Sequence, residues 1–172
     1  MPSRLQDITI RPIQPEDNAA IAQIIRTALT EFGANKPGTV FYDDSTDHLF
    51  ELFAAEPKSA YFIALQGNEV VGGAGIYPTE GLPEHTCELV KMYLSKKVRG
   101  MGLGRKMIDH CLEVAKQKGF EQVYLETMPE LNQALHVYEK LGFSYLTGPM
   151  GNSGHFGCAL WMLRETGLAD NQ

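Results

Sequence analysis

The sequence predicts a single α/β domain of the mixed (α+β) kind over residues 1–172. Three observations carry this. The length suits one domain, since a domain takes about 100 to 200 residues. The spacing of apolar residues switches between a period of two and one of about 3.6, in the order βααβββαβαββ, which is not the regular alternation of a parallel α/β fold. Finally, Gln66-Gly67-Asn68 separates two short apolar runs, and Gly and Asn there suit the left-handed conformations of a tight hairpin. Some neighbouring strands are therefore antiparallel.

Ile8 to Arg11 alternates like a short strand, and Pro15-Glu16-Asp17 opens a helix whose Ile21, Ile24, Ile25, Ala28 and Leu29 recur at helical spacing. Residues 33–46 form a loop with Gly33, Pro37, Gly38, Asp43, Asp44 and Ser45. Asp47 to Ala55 follows as a short amphipathic helix carrying Leu49, Phe50, Leu52 and Phe53. Tyr61 to Leu65 and Glu69 to Ile76 are the hairpin strands. Beyond a loop containing Pro78, Gly81 and Pro83, Thr86 to Leu94 is a strand with Glu88, Val90, Met92 and Leu94 on one face and Leu89 and Tyr93 on the other. Both faces are largely apolar, which places this strand centrally.

From Leu103 the period is helical again: Leu103, Met107, Ile108, Cys111, Leu112 and Ala115 form one face, Gly119 caps the end and Phe120 packs back. Gln122 to Thr127 is a strand. Glu130 to Leu141, after Pro129, is a helix with Leu131, Ala134, Leu135, Tyr138 and Leu141 on one side and Gly142 beyond its end. Phe143 to Thr147 and Phe156 to Leu163 close the chain as strands around a loop from Gly148 to Gly154.

Hydrophobic residues at 44% and charged residues at 21% give an ordinary globular composition able to bury a core. A formal net charge of −6 argues against a dedicated nucleic-acid binder, whose affinity comes from basic residues on phosphates. No segment reaches the roughly 20 apolar residues of a membrane span, and Met1 to Arg11 does not read as a secretory signal. No membrane partner and a cytoplasmic location are therefore expected. Cys87, Cys111 and Cys158 are odd in number and far apart, as reduced core thiols would be. The histidines His48, His85, His110, His136 and His155 show no metal-ligand spacing, so no metal is expected. A Cys111–His110 nucleophile is disfavoured, because helix neighbours point about 100° apart.

The stretch Lys96-Lys97-Val98-Arg99-Gly100-Met101-Gly102-Leu103-Gly104-Arg105-Lys106 holds five of the 15 Lys and Arg residues and lies between a strand and a helix. Glycines at alternate positions allow a tight turn with exposed N–H groups, and the helix N-terminus adds partial positive charge. This makes an anion cradle. It lacks the P-loop lysine followed by Ser or Thr, and its glycine spacing is not that of the dinucleotide motif. Taken alone, the stretch also fits a plain strand-to-helix connection with a solvated basic rim.

Arg99-x-x-Gly102-x-Gly104, after an apolar strand and before an amphipathic helix, resembles the acyl-CoA signature of the GNAT superfamily of N-acetyltransferases. A second match follows at Ala134-Leu135-His136-Val137-Tyr138-Glu139-Lys140-Leu141-Gly142-Phe143, which resembles that family's Tyr-bearing helix and its Gly-Phe. The resemblance is closest to the bacterial small-molecule branch. It implies a mixed, mostly antiparallel twisted sheet, splayed at its centre and flanked by about four helices. By the same resemblance, Arg99, Gly100, Met101, Gly102, Leu103, Gly104 and Arg105 hold the CoA pyrophosphate through backbone N–H groups. Met92, Tyr93 and Leu94 hold the pantetheine as an added strand, with an N–H near Met92 or Tyr93 for a developing oxyanion. Asn132, one position after the family's usual Asn, is the candidate for a polar contact to that arm.

Amine acetylation needs a proton removed from the amine and can use an acid at the leaving thiolate. Glu88, a carboxylate in an apolar strand where burial would raise its pKa, matches the family's base in some members. A solvated strand-end Glu or a structural ion pair is the other reading. Tyr138 matches the family's acid, a core tyrosine being the alternative. Residues 41–56 carry Asp43, Asp44, Asp47, Glu51 and Glu56 without Lys or Arg. With Phe32, Phe41 and Tyr42 nearby they suggest an acidic, aromatic rim for a cationic amine. Phe32, Tyr42 and Asp43 are the substrate-binding candidates, against a solvated face with core aromatics.

The resemblance thus implies an acetyl-CoA-dependent N-acetyltransferase acting on a primary amine, foremost of a small molecule, by direct attack in a ternary complex. Its partners are acetyl-CoA and the amine, and a homodimer is compatible with the sequence. A CoA-binding sensor or interaction protein of the same fold without turnover is the alternative. A nucleotide-binding α/β domain is disfavoured by the glycine spacing and the early hairpin.

Overall fold

The computed structural model describes residues 7–168; the outermost residues of the expected domain, 1–6 and 169–172, lie outside the described part. Seven strands form one sheet in the order β1-β2-β3-β4-β5-β7-β6. They are β1 (Ile8–Pro12), β2 (Ala60–Gln66), β3 (Glu69–Tyr77), β4 (Thr86–Leu94), β5 (Gln122–Thr127), β6 (Ser144–Leu146) and β7 (Leu160–Glu165). Four helices flank them: α1 (Asn18–Glu31), α2 (Leu49–Ala54), α3 (Leu103–Gln117) and α4 (Asn132–Lys140). Every neighbouring pair is antiparallel except β4 and β5. The chain order of elements is the one the apolar periods predict.

The two faces of the sheet bury separate clusters. On one, Ile21, Ile25 and Leu29 of α1, spaced to share a helix face, pack with Leu49 and Phe53 of α2 against Tyr61 and Ile63 of β2. On the other, Met107, Ile108 and Cys111 of α3 and Tyr138 of α4 pack against Phe62, Ala64 and Cys87. Alternate residues of β2 thus serve opposite layers. At the start of α1 the buried Asp17 carboxylate accepts two hydrogen bonds from Arg11, at 2.7 and 3.0 Å, and one from the backbone N–H of Gln14 at 2.8 Å. Gly119 and Gly142, both left-handed, follow the ends of α3 and α4.

Three expectations change. The alternation expected along β4 fails at Lys91, which adopts φ +52° and forms a bulge: Gly73 pairs with Tyr93 and Gly75 with Val90, so β4 spends one extra residue against β3. Met92 and Leu94 therefore lie with Leu89 on the α3 side, while Val90 and Tyr93 face α1. The last strand starts at Leu160 and not at Phe156. Its apparent beginning is a loop in which Phe156 is 82% exposed and the Gly157 N–H donates to the Gly38 carbonyl at 2.9 Å. Finally, α2 and α4 begin two residues later than their apolar patterns, because short 3₁₀ turns at Asp44–Asp47 and Pro129–Leu131 precede them. Cys87 and Cys111 are free and buried, and Cys158 lies in the loop before β7. None of the described helices is long and apolar enough to cross a membrane.

Candidate active site

The parallel pairing of β4 with β5 covers only Thr86, Cys87 and Glu88, opposite Gln122, Val123 and Tyr124. Beyond Glu88 the two strands diverge, while β7 stays paired with β5 as far as Thr127. From Leu89 to Leu94, β4 has no strand beside it on the β5 side. A backbone edge left this way offers N–H and C=O groups to an extended ligand. The wedge is a cavity of about 550 Å³, walled by residues 88–94 of β4, the glycine turn, Glu126 to Met128, α4 and the loops bearing Val40 and His155.

At one end lies the turn. Gly100 and Gly102 sit at φ +79° and +84°, a region costly for residues with a Cβ. Gly102 caps α3, whose first intrahelical bond runs from Lys106 N–H to Gly102 carbonyl, so the N–H groups of Leu103, Gly104 and Arg105 are outside the helix ladder. Gly100, Gly102, Leu103, Gly104 and Arg105 line the cavity; Met101 packs on the core instead. The Arg99 side chain is turned inward, where it donates to the Leu94 carbonyl at 3.0 and 3.2 Å and to Glu31 at 2.8 Å, with Phe32 under its guanidinium. It clasps β4 to α1, so its guanidinium is engaged within the protein. Asn132 is exposed outside the cavity wall, which α4 forms with Gln133, Ala134, Val137 and Tyr138.

The bulge beside the wedge is held from behind. Tyr61 of β2 donates its hydroxyl to the Lys91 carbonyl at 2.7 Å, reaching across β3 where that strand has Gly73 and Gly75. A Cβ at Gly73 would stand 2.5 Å from the Tyr61 hydroxyl, and one at Gly75 would stand 2.6 Å from its ring. The two glycines make a notch for the ring, and the ring fixes the backbone that the wedge exposes.

At the other end Glu88 is 4% exposed and accepts a hydrogen bond from Thr79 at 2.6 Å. Burial raises its carboxyl to about 7; the Thr79 bond opposes this, Glu126 adds to it, and His155 and Lys91 oppose it. Around Glu88 the topology assembles charged groups from four places. Lys91 Nζ lies 3.5 Å from Asp43, whose carboxylate also meets His155 Nε2 at 2.6 Å. His155 Nδ1 lies 3.9 Å from Glu126. Glu126 accepts from the Tyr124 hydroxyl at 2.7 Å and from Ser153. Burial lowers the pKa of Lys91 against the pull of Asp43 and Glu88. Burial would raise that of Asp43, but His155 and Lys91 outweigh it and hold the carboxyl below its usual range.

Tyr138 is buried on the cavity wall, with its ring against Phe143 and no hydrogen-bond partner for its hydroxyl among the described residues. Burial raises its pKa, so the hydroxyl keeps its proton at neutral pH. Glu88 and Tyr138 thus share one cavity, a carboxyl poised to take a proton and a phenol able to give one. The acidic rim divides. Asp43 joins the cluster, Phe32 lies under Arg99 on the cavity wall, and Tyr42 is 59% exposed outside it. Asp47 and Glu51 pair with Arg26 and Asn18 on the surface. Sequence reasoning missed Lys91, Glu126 and the role of His155. For the first two the signal was there, a charged residue within an apolar strand, as at Glu88.

Residues 20–143 match the family described as acetyltransferase (GNAT). An uncharacterized N-acetyltransferase of Escherichia coli K12, YjgM, is 40% identical over 162 residues, spanning 93% of this chain and 96% of the relative. Among solved structures, a GNAT-family acetyltransferase of Staphylococcus aureus Mu50 superposes with TM-score 0.81 at 17% identity, over 92% of this chain and 99% of that one. YncA of Salmonella typhimurium, solved with its cofactor acetyl-CoA, superposes with TM-score 0.72 at 18% identity, over 93% and 94% of the two chains.

Proposed function

Because the chain belongs to the acetyltransferase (GNAT) family and is an N-acetyltransferase, we propose that it transfers the acetyl group of acetyl-CoA to a primary amine of a small molecule by direct attack in a ternary complex. One observation carries this reading: an unpaired stretch of β4 runs from an anion-cradling turn to a buried carboxyl raised to about 7. The residues fit the cosubstrate. The α3 N-terminus with Gly100 and Gly102 would hold the pyrophosphate, and the β4 edge from Met92 to Leu94 the pantetheine amides. Bound acetyl-CoA supplies the thioester carbonyl that the amine attacks.

The chain's own groups do the rest. Glu88 takes a proton from the incoming ammonium, a role suited to a group that titrates near neutral pH. A backbone N–H of Met92 or Tyr93, beside the bulge that Tyr61 fixes, donates to charge developing on the carbonyl oxygen. The Tyr138 hydroxyl gives its proton to the departing sulfur. Calorimetry with acetyl-CoA and thiol release over a panel of primary amines test the proposal. Binding that weakens with salt, together with amine-dependent thiol release, is expected. Absence of binding at millimolar acetyl-CoA removes the cofactor reading, and binding without release from any amine replaces the enzyme with the sensor.

A further inference from the structure

The Glu88 end of the cavity has a charge balance that constrains what can enter it. Two carboxylates line it, Glu88 and Glu126, and its basic groups are Lys91 and His155, both paired with a third carboxylate, Asp43. Both bases face Asp43, and their side chains are only 7% and 15% exposed. The guanidinium nearest along β4, that of Arg99, is engaged with Leu94 and Glu31 towards the other end. A carboxylate entering near Glu88 would find no cation without a protein counter-ion. To reach Lys91 it would have to share that ammonium with Asp43, and it would also approach Glu126. An ammonium meets the opposite situation, with Glu88 and Glu126 both lining the cavity. Val40, Met128, Leu131 and Cys158 make most of the remaining wall apolar, with Thr39, Thr127 and Gln133 as its uncharged polar members.

On the basis of the acetyltransferase reading, we infer that the acceptor is an apolar primary amine that binds as a cation and carries no carboxylate on the amine-bearing carbon. Free α-amino acids are thereby disfavoured by charge relative to alkylamines and carboxyl-blocked amino acids. The decisive feature is the placement of Glu126, buried to 5% exposure in β5 and aimed by Tyr124 and Ser153, beside Glu88.

A matched set tests this on the wild-type enzyme: leucine, leucine amide and 3-methylbutylamine, compared by kcat/KM for thiol release from acetyl-CoA. The alkylamine is the critical arm, because it is more basic than leucine, so basicity alone would disfavour it. Both uncharged-tail compounds should exceed leucine by about tenfold or more, the scale of one like-charge encounter in a partly buried site. Glu126→Gln, whose single amide oxygen can accept from one of the two hydroxyls while its NH2 donates to the other, removes the charge with both contacts kept and should narrow that ratio. Leucine turned over as well as or better than 3-methylbutylamine overturns the inference and leaves the acetyltransferase reading intact. No thiol release from any of the three, with release from another primary amine of the panel, overturns the inference alone; no release from any amine overturns both, and unchanged discrimination in Glu126→Gln overturns the role given to that carboxylate.

Discussion

The two ends of the cavity are built on different principles. The turn end comes from one contiguous stretch, Arg99 to Arg105, and presents backbone N–H groups at a helix start. The carboxylate end is assembled from residues 43, 88, 91, 126, 153 and 155 and works through buried side chains. In the proposed function the backbone end holds what every acyl-CoA shares and should tolerate side-chain change, whereas the side-chain end sets proton affinity and acceptor choice, each member depending on its neighbours.

Glu88→Gln is the sharpest test of that division. It should lower kcat/KM by about 10³-fold, within the usual span of general-base catalysis, with acetyl-CoA affinity unchanged by calorimetry. The same variant has a stability signature. The folded-state pKa of about 7 lies above the ordinary 4.5, so the stability it confers is complete below about pH 4.5 and lost as pH rises through 7. The loss amounts to about 3 kcal/mol. Gln carries no charge to desolvate, so the variant should melt above wild type at pH 8 and alongside it at pH 4. Wild-type rates from pH 6 to 9 would reduce Glu88 to a structural group.

Tyr138→Phe should lower kcat by about 10²-fold while keeping the fold and acetyl-CoA binding, since the ring still packs on Phe143. An acyl donor with a more acidic thiol should rescue it. Loss of melting temperature and rate together, without rescue, would make the hydroxyl a packing anchor. At the turn end the expected failure is of the other kind. Gly102→Val forces a branched residue to φ +84°, and acetyl-CoA affinity should fall about tenfold while the pH midpoint of kcat/KM stays in place. A shifted midpoint would mean the two ends are coupled.

Tyr61→Phe probes the support between them. Losing the hydrogen bond to the Lys91 carbonyl should reduce kcat about fivefold with little change in the KM for acetyl-CoA, and Gly73→Ala, which crowds the same hydroxyl, should reproduce it. Equal losses in kcat and in acetyl-CoA affinity would assign Tyr61 to the binding edge as a whole.

The same contrast explains what the sequence disclosed. The glycine turn was legible because its parts are adjacent, and Glu88 stood out as a carboxylate within an apolar strand. Element order followed from apolar periods, which report burial. The Asp43–His155 contact joins positions 112 residues apart and exists only because two loops meet over the wedge. The bulge was hidden for another reason: a left-handed lysine has no sequence mark, and its support lies in Gly73 and Gly75 one strand away and in Tyr61 two strands away. Phe156 misled because an exposed aromatic in a loop reads like the start of an apolar strand.

The smallest expected effect separates the carboxylate end from a mere hydrophobic pocket. If Glu88 is the base, kcat/KM should rise with pH through a midpoint near 7, because only the ionised carboxylate accepts the proton. Burial alone would make that midpoint insensitive to neighbouring charge. Glu126 holds it up and Lys91 holds it down, so Glu126→Gln should move it lower and Lys91→Met higher. The measurement is kcat/KM against pH for wild type and both variants with one amine. Opposite displacements would mean the charged neighbours tune the base. Midpoints that coincide in all three proteins would mean desolvation sets the value unaided, and the surrounding cluster would then keep only its part in choosing the acceptor.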